Sequence, residues 1–69
     1  MLLVAEARAE LRGRVYVLDN GDAWEQTQPR LAELARAAAV RIWRAGALHW
    51  LEVAGSKALI SVRRTFLLS

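Results

Sequence analysis

Cysteine is absent from this 69-residue chain, which excludes a disulfide framework, a thiolate nucleophile and a thiolate metal site together. Histidine occurs once, at His49; it reads as a strand residue rather than as a catalyst or a ligand in a His-rich metal cluster. Glycine is sparse, and Gly13, Gly21, Gly46 and Gly55 are too scattered to form a phosphate loop. Ser56, Ser61 and Ser69 stand in no nucleophile motif. Asp19 and Asp22 flank a tight turn, which accounts for them better than a Ca²⁺ loop whose remaining oxygen ligands are missing. These absences predict a chain that is not an enzyme, takes no cofactor or metal, and shows no evident small-molecule substrate.

No apolar stretch approaches the roughly 18 residues of a membrane-spanning helix. Glu6, Arg8 and Glu10 interrupt the apolar opening Met1-Leu2-Leu3-Val4-Ala5 before it reaches signal-peptide length. The expectation is a soluble, cytoplasmic protein without a membrane partner.

What is present is apolar: the hydrophobic fraction is 55%. A single domain spanning 1–69 is all this length supports, and a domain so small hides only about 60% of its unfolded surface. Apolar groups therefore remain outside unless a second subunit or another protein covers them. The formal charge is +3, but seven acidic residues are interspersed among ten basic ones, the pattern of a mixed surface rather than of a concentrated basic patch.

Along the chain, Asp19-Asn20-Gly21-Asp22 separates Arg14-Val15-Tyr16-Val17-Leu18 from Ala23-Trp24-Glu25-Gln26-Thr27. Asn-Gly between such flanks predicts a hairpin closed by a type I′ turn. Period-two geometry puts Tyr16, Leu18, Trp24 and Gln26 on one face and Val15 and Val17 on the other. A second hairpin is expected from His49–Val53 to Ala58–Arg63 around Gly55-Ser56. Val40-Arg41-Ile42-Trp43-Arg44 alternates as a strand with Val40 and Ile42 inward, Arg41 and Trp43 outward, and Gly46 bending the chain into the next strand. In Val4–Arg12 the alternation of Ala5, Ala7, Ala9 and Leu11 with charged residues favours a strand over a helix, and Gly13 ends it. Only near 29–38 is helix the better local reading: Pro29 suits a first turn, and Leu31, Leu34, Ala35 and Ala38 recur at helical spacing, with an extended loop as the competing reading. The fold class is all-β, a small barrel of about five to six antiparallel strands with at most that one short helical segment.

The stretch Leu18-Asp19-Asn20-Gly21-Asp22-Ala23-Trp24-Glu25-Gln26 resembles a small family of uncharacterised bacterial proteins with the pattern Leu-(Asp/Glu)-Asn-Gly-x-x-Trp-x-Gln. The resemblance continues through Val40-Arg41-Ile42, Trp50 and Val62-Arg63-Arg64 in order and spacing. It implies an SH3-like barrel and brings no activity, cofactor or partner with it. This chain departs from the pattern in carrying Ala37-Ala38-Ala39 where Gly-Asp is usual before the Val-x-Ile strand, and Leu48-His49 where Gly-Ser usually precedes the aromatic.

The binding candidates are Arg41, Trp43, Arg44, Arg63 and Arg64, with Trp50 on the next strand. If their strands are neighbours, Arg41 and Trp43 lie beside Arg63 as a basic surface with an aromatic platform, suited to an acidic or proline-rich peptide or to a stacked base. The competing reading makes Trp24 and Trp50 core anchors, with Trp43 covered by a partner subunit or by the tail Phe66-Leu67-Leu68 and the arginines solvated. The leading expectation is a protein-binding or self-assembling module. Nucleic-acid binding through Arg41, Trp43, Arg44, Arg63 and Arg64 is the alternative.

Overall fold

The computed structural model describes residues 1–28, 38–56 and 58–66. Six strands order them: β1 (Leu2–Arg12), β2 (Val15–Leu18), β3 (Ala23–Gln26), β4 (Ala38–Ala45), β5 (Leu48–Val53) and β6 (Leu59–Thr65). All pairings are antiparallel, and the order β1-β2-β3-β6-β5-β4 closes into a barrel. This is the small all-β barrel that the alternation predicts, and it fits the SH3-like architecture that the resemblance implies. Two three-stranded meanders, β1-β2-β3 and β4-β5-β6, are sealed to one another along β1/β4 and β3/β6.

Closure follows from which side chains each strand turns inward. Ala9, Tyr16, Leu18, Trp24, Val40, Ile42, Leu51 and Val62 form the core, and Ile42 and Leu51 are fully buried. Every strand contributes to that set, so no strand is dispensable to the interior. Gln26 is the buried polar exception among the described residues; its Nε2 donates to the Tyr16 hydroxyl at 2.9 Å. Beyond the end of β3, the Thr27 amide donates to the Ser61 carbonyl at 3.0 Å and Thr27 Oγ1 donates to Ser61 Oγ at 2.7 Å, carrying the β3/β6 seam further.

The first hairpin forms where expected but not with the expected turn. The Gly21 amide donates to the Leu18 carbonyl (3.1 Å) and the Leu18 amide to the Asp22 carbonyl (2.9 Å). Only Gly21 (φ 95°) has positive φ, so Asn20 does not occupy the left-handed position that a type I′ turn requires. The loop is Asp19-Asn20-Gly21, a type I turn followed by a left-handed glycine. Asn20 serves by its side chain instead, its Oδ1 accepting from the Asp22 amide at 2.9 Å. At the β4/β5 reversal, Ala45 pairs with Leu48 across the two-residue loop Gly46-Ala47, and Gly46 (φ 61°) takes the first central position, as a type II′ turn demands.

β1 is a strand, as its alternation predicts, and it begins at Leu2. The helical reading near 29–38 fails where it can be checked: Ala38 pairs with Ala9 and Ala39 with Arg8 as the first residues of β4. Residues 29–37 lie outside the described set. No helix occurs among the described residues, hence none long and apolar enough to cross a membrane.

Candidate functional site

The barrel wall made of the N-terminal half of β1, β4, β5 and the start of β6 carries the candidate surface. Register fixes its outward rows. Leu3 lies opposite Trp43, Trp43 opposite Trp50, and Trp50 opposite Ser61. The next row runs Glu6, Arg41, Glu52, Leu59. Trp43 and Trp50 are thus a directly opposed cross-strand pair on the outside, both half-buried, with Cβ atoms about 4.5–5.5 Å apart by sheet geometry. Trp43 Nε1 donates to Glu52 Oε1 at 3.0 Å, which fixes one indole against the sheet.

This corrects the reading of Trp50 as a core anchor. Trp24 alone of the three tryptophans is buried, and its Nε1 has no acceptor among the described residues. Its ring packs 4.9 Å from that of His49, tilted by 45°. His49 is therefore a strand residue resting on the core.

The arginines do not gather into one basic surface. Arg41 Nε lies 3.6 Å from Glu6 Oε1 and pairs in register with Glu52. Arg63 engages Glu25 Oε1 through Nε (2.9 Å) and Nη2 (2.7 Å). Arg64 Nη2 donates to Asp22 Oδ1 at 2.8 Å while its guanidinium lies 5.9 Å from the Trp24 ring centre. Arg44 shares the inward parity of Ile42, yet it is exposed, because it lies at the barrel rim opposite Leu2 and His49. The strands β4, β5 and β6 are indeed neighbours, but Arg63 does not sit beside Arg41. Leu59 occupies Arg41's row, and Arg63 comes four residues later on β6.

Three features of the wall escape sequence reasoning. Leu3, Leu48 and Leu59 are exposed apolar side chains, and only cross-strand register reveals that they share a wall with the tryptophans. Glu52 fixes Trp43, a diagonal contact that no linear spacing announces. Beside the tryptophans a groove of about 580 Å³ is lined by Glu6, Arg8, Asp19, Arg41 and Glu52 over the small residues Ala39 and Ala54. Its carboxylates and guanidiniums are intermixed. Among the described residues no cluster of His, Asp and Glu has the composition to hold a metal ion.

No family model, no curated protein and no solved structure matches the chain.

Proposed function

We propose that this protein is a non-catalytic protein-binding module that works through the wall centred on Trp43 and Trp50. The observation that carries this reading is the outward Trp43–Trp50 pair flanked by exposed Leu3, Leu48 and Leu59. Aromatic anchors within an apolar centre and a charged rim are the anatomy of a protein interface. Here the rim is supplied by Glu6, Arg41 and Glu52. Nucleic-acid binding is disfavoured because Arg41, Arg63 and Arg64 each lie against a carboxylate, which offsets the charge that phosphates need.

The test is affinity capture with the tagged full chain, in parallel with titration by single-stranded oligonucleotides at low salt. Trp43→Ala/Trp50→Ala should lose captured protein, including untagged copies of the same chain, while Arg44→Ala/Arg63→Ala should retain it. Capture unaffected by the tryptophan pair, or tight oligonucleotide binding that weakens steeply with salt, would sink the reading.

A further inference from the structure

The N-terminal half of β1 is unusual twice over. β2 pairs with β1 only over Ala9–Arg12, extended by the Asp19 amide to the Arg8 carbonyl at 2.9 Å. From Leu2 to Ala7, β4 is the one pairing partner among the described residues, and among them the other edge of that half-strand is open. Even toward β4 the pairing skips Val4, where the register shifts between Leu3 and Ala5. The same residues are apolar and exposed: Leu2 at 61%, Leu3 at 45% and Val4 at 48%. An edge whose peptide groups find no strand partner among the described residues, with no proline, no lysine and no charge from Leu2 to Ala5, is open to strand pairing, the bulge at Val4 being the feature there that blunts it.

We infer that a second copy of this chain pairs with this edge, the two β1 strands running antiparallel about a dyad within Leu2–Ala7 to make one sheet that runs through both barrels. This rests on the protein-binding reading above and names its partner. The occupant is a like chain because an antiparallel edge is self-complementary about a dyad, each copy presenting the donors and acceptors that the other lacks. Composition agrees, since Met1, Leu2, Leu3 and Val4, four of the seven exposed large apolar side chains among the described residues, lie at this edge. Leu3 belongs to both features, standing on the edge strand and opposite Trp43, so strand pairing joins the two apolar walls into one outer face of the shared sheet.

Sedimentation velocity of the full chain from about 1 to about 100 μM is the primary test, joined to hydrogen exchange of the wild type at both extremes. A dimer that dissociates on dilution is expected, with the amides of Leu3–Ala7 gaining protection as concentration rises. Leu2→Lys/Val4→Lys places four like charges on the shared edge and should weaken association at least about tenfold, with the far-ultraviolet circular dichroism spectrum reporting an intact barrel. A monomer throughout that still captures another protein through Trp43 and Trp50 overturns the inference and leaves the protein-binding reading standing. A monomer that captures nothing ends both. A dimer that shows no added protection at Leu3–Ala7, or that tolerates the lysine pair yet dissociates with Trp50→Arg, overturns the strand pairing.

Discussion

At the scale of single residues, the contact most exposed to test is the one between Gln26 and Tyr16. Both are buried, and the amide donates to the hydroxyl at 2.9 Å. Tyr16→Phe removes the acceptor and leaves a buried amide unsatisfied, so it should cost about 1–3 kcal/mol in urea-induced unfolding. Adding Gln26→Leu removes the stranded donor as well and should recover most of that loss, so the double variant will be more stable than the sum of the singles predicts. Period-two alternation made the shared face of Tyr16, Leu18, Trp24 and Gln26 legible. It could not foretell the bond, because which atoms meet across β2 and β3 depends on register. The tryptophans show the same limit: one residue of parity separates Trp24 in the core from Trp50 on the outside. Trp24→Ala should therefore cost about 3–5 kcal/mol through the cavity it leaves. Trp43→Ala should cost far less, since that ring is only half-buried; thermal unfolding of the two variants side by side checks this.

At the scale of elements, the reversals were readable as reversals and misread in their geometry. Asn-Gly signals a hairpin under either turn type, but only hydrogen bonds and φ values separate a two-residue loop from a three-residue one. The difference has a consequence at Asn20. In a type I′ turn Asn20→Gly would be harmless, since glycine adopts positive φ without penalty. Here Asn20 has no positive φ, and its Oδ1 accepts from the Asp22 amide. Asn20→Gly should lower stability by about 0.5–1.5 kcal/mol through the lost bond and a freer unfolded chain. Gly21→Ala should cost about 1–2 kcal/mol, because Cβ is disfavoured in the left-handed region. A chemical denaturation series on both variants decides it. The start of β4 was illegible for a different reason. Alanines favour helix locally, and what makes Ala38 and Ala39 extended is pairing with Ala9 and Arg8, residues distant in sequence whose influence no local window contains.

At the scale of the whole molecule, alternation and turns were enough to foresee a small closed all-β barrel, whereas the seams β1/β4 and β3/β6 were not visible, and with them went the composition of the outer wall. The candidate arginines were grouped on the expectation that their strands are neighbours. β4, β5 and β6 are neighbours, but the register sets Arg41, Arg63 and Arg64 against Glu6, Glu25 and Asp22 respectively. The same closure leaves Leu2–Ala7 as an edge, and that edge links stability to concentration if two copies share it. Where the dimer predominates over the folded monomer, a tenfold rise in protein concentration favours the folded state by about 1.4 kcal/mol per dimer, or ~0.7 kcal/mol per chain. With the entropy of unfolding usual for a domain of this size, that corresponds to roughly 3–6 °C in Tm. Scanning calorimetry at two concentrations should show the shift in the wild type and its absence in Leu2→Lys/Val4→Lys. A wild-type Tm that stays fixed across that range would mean the barrel folds without a second copy and would count against the pairing of the two β1 edges.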